Sequence, residues 1–176
     1  MRLAGHRAGT GARTAVAIGI AGLLALVGTS PAHATPRLYR IKNANSGQCL
    51  AVGAASKAGG AGVIQWTCVP GAVEQLWYFD GPWYVNGVDF YRIINWNSGM
   101  CLADPASSTN AGVQMIQYGC GSGHEQFWRA DTPDTFRNLA SSLRLAVGGR
   151  SQTPGAPVVQ WYPNSQSEQS WEETPP

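Results

Sequence analysis

The sequence predicts an all-β protein of twelve short strands, built as three repeats of four. Three observations carry that prediction. A Glu-Gln-x-Trp element occurs three times, as Glu74-Gln75-Leu76-Trp77, Glu125-Gln126-Phe127-Trp128 and Glu168-Gln169-Ser170-Trp171. The glutamines lie 51 and then 43 positions apart, a period that signals a repeat architecture. Runs such as 39–43 and 91–95 alternate apolar and polar residues and end in Asn-Ser-Gly turns, the pattern of half-buried strands.

The first 34 residues carry a different pattern, that of an export signal. Arg2, Arg7 and Arg13 form a basic start, and 15–27 is an apolar run of 13 residues, short for a bilayer span. Pro31-Ala32-His33-Ala34 supplies the small-x-small sequence that a signal peptidase cuts, so cleavage after Ala34 and a secreted, extracellular product are expected. The remaining chain, 35–176, has the size of one ordinary domain. It holds 9 basic and 10 acidic residues, a formal charge of −1. A near-neutral domain has little pull on polyanions, which argues against nucleic acid as a partner and against membrane insertion. A monomer is expected.

All four cysteines, Cys49, Cys68, Cys101 and Cys120, fall within 35–176, and none forms a close C-x-x-C pair of the metal-binding kind. An even count in an exported domain argues for disulfides. The two spacings of 19, one in each of two matching repeats, select the pairs 49–68 and 101–120. Closing such a loop stabilises by roughly 3 kcal/mol in the chain-entropy model.

Each repeat opens on a matching segment, at 43–52, 95–104 and 138–147. A small-residue turn follows. Then comes a strand ending in an aromatic: Val63-Ile64-Gln65-Trp66, Ile116-Gln117-Tyr118 and Val158-Val159-Gln160-Trp161. The repeats run over about 38–80, 91–130 and 134–172. The first period is eight residues longer than the second because of an insertion within 80–90. Asn86-Gly87 between two β-type runs predicts an extended hairpin with a type I′ turn, its aromatics serving either packing or contact. In the third repeat Arg144 and Pro163 stand where cysteines would be. That repeat is expected to rely on packing alone and to be locally the least stable.

Three Gln-x-Trp units in register, Ser-Gly-x-Cys-Leu-Ala turns at 46–51 and 98–103, and aromatics two places before Cys68 and Cys120 resemble the ricin-type β-trefoil lectin family. The resemblance spans 39–171. It implies a β-trefoil, six hairpins about a pseudo-threefold axis, and one shallow sugar site per repeat. The tryptophans of the Gln-x-Trp elements are then core residues, and the glutamines bond loop backbone. Residues expected at the sugar sites are Trp66, Glu74 and Gln75 in the first repeat. In the second they are Asp104, Asn110, Tyr118, Glu125 and Gln126, the fullest set. In the third they are Trp161, Glu168 and Gln169.

The polar positions depart from the family's galactose-binding pattern. Its aspartate is replaced by Ala51, Ala103 and Ala146, its upstream glutamine by Ile64, Ile116 and Val159, and its asparagine by the three glutamates. Two readings therefore stand. One is a carbohydrate-binding module using the glutamates and Asp104 as acceptors. The other is a protein-binding trefoil, such as an inhibitor or toxin component, that has lost sugar binding. Catalysis has little support. His124 is the one histidine in 35–176, and the glutamates occur once per repeat. No cofactor or metal is implied.

Overall fold

The computed structural model describes residues 35–132 and 134–176; the expected leader, 1–34, lies outside the described residues. The twelve strands are β1 (Arg40–Asn43), β2 (Cys49–Val52), β3 (Val63–Trp66), β4 (Trp77–Val85), β5 (Val88–Asn95), β6 (Cys101–Ala103), β7 (Ile116–Tyr118), β8 (Phe127–Ala130), β9 (Phe136–Asn138), β10 (Arg144–Val147), β11 (Val158–Trp161) and β12 (Trp171–Thr174). All pairings are antiparallel.

Six strands make the barrel wall. β12 pairs with β1, β4 with β5, β5 with β8, and β8 with β9. A Tyr39–Trp77 bridge joins β1 to β4, and the Trp171 N–H donates to the Asp134 carbonyl to close the ring. The other three hairpins, β2–β3, β6–β7 and β10–β11, cap one end. This is the β-trefoil that the repeats predict.

One core serves all three repeats. Trp77, Trp128 and Trp171 are buried at equivalent places, with Ile41, Leu50, Ile93, Leu102 and Leu145 among them. Each indole N–H donates to a backbone carbonyl of its own repeat, Leu50, Leu102 or Leu145, at 2.9–3.1 Å. Burying each ring contributes roughly 2–3 kcal/mol. No repeat encloses its own tryptophan, so the three must fold together.

Buried amides hold the repeats to one another. Asn43, Asn95 and Asn138 each turn the chain after a barrel strand through an Asx-type bond, in which the side-chain oxygen accepts from the backbone N–H two residues on. Their Nδ2 groups reach back to the carbonyls of Glu168, Glu74 and Glu125. Each glutamate is thus fixed in the backbone by the next repeat.

Both predicted disulfides are present, Cys49–Cys68 and Cys101–Cys120, each with Cα atoms 5.1 Å apart. The third repeat does not rely on packing alone. Arg144, at the cysteine position, donates through Nε and Nη2 to Asp131 and through Nη1 to the Asn164 carbonyl, one residue beyond Pro163. The guanidinium spans the gap that a disulfide would close. Burial opposes the charge of Asp131, but the hydrogen bonds and charges of Arg144 and Arg137 outweigh it and hold the carboxyl below its usual range.

The insertion forms the far half of the β4–β5 hairpin. Asn86 and Gly87 both have positive φ, as a type I′ turn requires. The register slips between Asp80 and Trp83, where Gly81 takes φ 138° and a Cβ would sit 2.9 Å from the Phe90 carbonyl. Beyond this bulge Trp83 sits edge-on to Phe127 at 5.8 Å and beneath Arg92 at 4.8 Å. Trp83 makes these contacts on one side and stays 44 % exposed, and Tyr84 is more exposed still.

Candidate functional site

Trp66, Tyr118 and Trp161 end β3, β7 and β11, the second strands of the three capping hairpins, and each keeps about half its surface open (45, 57 and 45 % exposed). A large exposed aromatic at three equivalent positions is not explained by the core. Each ring leans on a glycine from another repeat. Trp66 meets Gly155, Tyr118 meets Gly59, and Trp161 meets Gly112, with a Cβ there falling 3.2–3.6 Å from the ring. The aromatics therefore stand at repeat boundaries, in cyclic order.

The residue before each aromatic makes that boundary. Gln65, Gln117 and Gln160 are fully buried. Gln65 Nε2 donates to the carbonyls of Ser151 and Thr153, Gln117 to those of Ser56 and Ala58, and Gln160 to those of Ser108 and Asn110, at 2.8–3.0 Å. Both amide hydrogens are spent on the neighbouring repeat's loop. Asn110 accordingly does not join the second-repeat cleft; its side chain is exposed and its carbonyl holds Gln160 of the third repeat.

The glutamines of the Gln-x-Trp elements lie in the wall of the fold. Gln75, Gln126 and Gln169 are buried. Their Nε2 groups donate to the carbonyls of Thr67, Gly119 and Tyr162. Their oxygens accept from the N–H groups of Val69, Gly121 and Asn164. Both ends of each amide are tied to loop backbone, and Gln126 also lies in the lining of the second-repeat cleft. Their role is to shape the loop beside the cleft.

The cleft of the third repeat is roomier than that of the second, at about 620 Å³ against about 370 Å³. Trp161 forms one side, the Gly148-Gly149 turn forms the floor, and Asn164, Glu168 and Arg150 supply the polar groups. Asn164 Nδ2 donates to Glu168 Oε1 at 3.0 Å, and Arg150 Nε lies 3.5 Å from Glu168 Oε2. Glu168 is itself buried, with Oε2 shielded from solvent, so the carboxylate fixes the amide and the guanidinium beside the open indole, and these offer donors to hydroxyl oxygens next to a face for apolar C–H groups. Sequence comparison missed Arg150 and Asn164. Arg150 aligns with Ala55 and Ser107, so no repeat pattern marks it, and Asn164 enters only when the loop folds back.

In the second repeat Tyr118 and Glu125 border the cleft, with Ser107 donating to Glu125 Oε2 at 3.1 Å. Asp104 lies behind them. It is fully buried, and neither carboxylate oxygen has a hydrogen-bond partner. Its column in the repeats holds Val52 and Val147, both core residues. Burial raises its pKa to about 6; the neighbouring Gln160 amide eases this and the charge of Glu125 adds to it. The Gln160 hydrogens are already committed to Ser108 and Asn110, so that relief is not a hydrogen bond. Asp104 is thus a buried carboxylate in the lining of the cleft, beneath Tyr118 and Glu125. In the first repeat Trp66 is exposed, and Glu74 is half-buried with its carbonyl held by Asn95.

Among the described residues no cluster of ligating side chains could hold a metal ion, and no helix is long and apolar enough to cross a membrane.

A closed trefoil with an open aromatic at each repeat boundary, and a polar cleft beside those of the second and third repeats, defines the class of lectin-type β-trefoils. The chain belongs to the ricin-type beta-trefoil lectin domain-like family, which it matches over residues 28–86 and 75–161. No curated protein sequence matches it significantly. Among solved structures it is similar to the designed threefold-symmetric protein ThreeFoil (30 % identity, TM-score 0.71, 78 % of this chain and 97 % of that one). It is also similar to an exo-beta-1,3-galactanase from Clostridium thermocellum, of which it covers only 31 % (26 % identity, TM-score 0.72, 81 % of this chain). The C-half of an earthworm R-type lectin, solved with GalNAc, shares the fold at 20 % identity and TM-score 0.63, over 79 % of this chain and 98 % of that one.

Proposed function

We propose that this protein is a secreted, monomeric carbohydrate-binding module of the lectin type, exported through the leader at 1–34, and that the third-repeat cleft is its principal site. The observation that carries the reading is the open indole of Trp161 beside the Asn164–Glu168–Arg150 group. Sugars are amphipathic, with an apolar C–H face and a rim of hydroxyls, and this cleft offers a partner to each. Trp161 stacks the ring, Asn164 and Arg150 donate to oxygens, and the buried Glu168 carboxylate orients both donors. Tyr118 with Glu125, and Trp66 with Glu74, give weaker secondary sites. Three shallow sites on one rigid body gain through multivalency on a polymer, by roughly 10²–10⁴ over a single site. The altered polar positions argue against galactose as the preferred sugar, because a site loses selectivity when a hydroxyl's partner is missing.

A glycan array and pull-down on insoluble polysaccharides test the reading. Binding that falls about tenfold in Trp161→Ala, with an unchanged melting transition, is expected; that loss corresponds to about 1.4 kcal/mol. Absence of binding to every glycan by the folded protein would favour the protein-contact reading.

A further inference from the structure

We propose that a second kind of site, between the hairpin tip and the first turn of the third repeat, binds the carboxylate or sulfate group of an acidic sugar. That the ligand is a sugar rests on the lectin reading; that it is an anion rests on the arginines. Arg129, Arg137 and Arg144 all converge on Asp131, so three guanidiniums share one carboxylate. Arg144 is spent on Asp131 and on the Asn164 carbonyl. Arg129 and Arg137 are not. Each gives only its Nη2 to Asp131, and Arg137 Nε is buried without a hydrogen-bond partner.

These two guanidiniums line a cleft of about 180 Å³ together with Asn86, Ser142, Val85 and Leu139. The guanidinium, amide and hydroxyl groups of the lining suit an oxyanion, and its apolar side chains suit a sugar's C–H face. The neighbouring acids do not cancel the charge. Asp89 alternates with Val88 and Phe90 on β5 and points to the other face of the hairpin. Asp134 lies close enough to Glu173 to act on its charge, towards β12. Two positive charges are left uncompensated, in a domain whose net charge is −1. Like charges held this close repel, and a bound anion removes that cost. Both walls come from features outside the three-repeat pattern: the inserted hairpin, and the arginine cluster that replaces the third disulfide.

The test is a titration of the full chain followed by the arginine Nε–H NMR signals, with sodium glucuronate, a sugar sulfate ester, glucose and inorganic sulfate as probes. A saturable shift at Arg129 and Arg137 with either acidic sugar, and none with glucose, is expected. Which acidic sugar acts identifies the group. Arg129→Gln, which removes a single 3.2 Å contact to Asp131, is expected to weaken binding about tenfold while leaving the melting transition in place. Arg137→Gln is the second variant. No saturable shift, an unchanged affinity in Arg129→Gln, or an equal response to inorganic sulfate overturns the inference. Failure here with Trp161 still responding to neutral glycans leaves the lectin reading intact. An arginine response to acidic sugars with a silent Trp161 supports this site and contradicts the third-repeat cleft as the principal site.

Discussion

Asp104→Asn should make this protein more stable at neutral pH and leave it unchanged in acid. The wild-type carboxyl is buried where the other repeats carry Val52 and Val147, and its pKa rises from 3.8 to about 6. At about 1.4 kcal/mol per pH unit, ionised Asp104 costs the folded state roughly 3 kcal/mol. The sign follows from proton counts. Below pH 4 the group is neutral in both states and costs nothing. Between about 4 and 6 the unfolded chain gives up its proton first, so stability falls as pH rises. Above about 6 the full cost is present. The amide introduced by the substitution carries no charge, so the variant should gain about 2–3 kcal/mol at pH 7, on the order of 10 °C in melting temperature for a domain of this size. The assay is denaturant unfolding of both proteins from pH 3.5 to 7.5. Comparing the two proteins is essential, because Asp131 titrates in the opposite direction. A difference that stays constant across the range would refute the reasoning, as would a less stable variant at pH 7; either would mean that the carboxylate has a partner.

Further consequences concern the clasps and the clefts. Arg144→Ala should destabilise by roughly 3 kcal/mol at pH 7, because it removes the main partner of a largely buried carboxylate. Since the Asp131 pKa is depressed, that contribution exists above about pH 4 and should fade on further acidification, which unfolding curves at several pH values would show. Cys101→Ser with Cys120→Ser should lower stability by roughly 3 kcal/mol in the same assay and leave the fold intact. Glu168→Gln should weaken glycan binding in the third-repeat cleft more than Glu125→Gln weakens it overall, as read by isothermal titration.

The trefoil was legible because its signature is linear. Three Gln-x-Trp elements, two cysteine pairs with equal spacing and an Asn-Gly turn each state a local fact, and the period assembles them. What the linear comparison could not supply is the cyclic contact between repeats. Trp161 leans on Gly112 and Trp66 on Gly155 across boundaries that close only in three dimensions. Asp104 is different, for its signal was in the alignment. A residue whose counterparts are two valines is a core residue, and the attraction of a carboxylate near a sugar-site position hid this. Arg144 was visible as a missing cysteine, but its partner Asp131 sits in the preceding inter-repeat loop, at no repeated position.

The central claim is that ligand binds on the open aromatics and not in the core, and the indole N–H NMR signals test it directly. Trp77, Trp128 and Trp171 are tied to backbone carbonyls and act as internal standards. Titration with the best ligand from a glycan array should shift the Trp161 signal first and then Trp66, with those three unmoved. A glycan that binds without moving Trp161 or Trp66, or a folded protein that no glycan perturbs, would contradict the account.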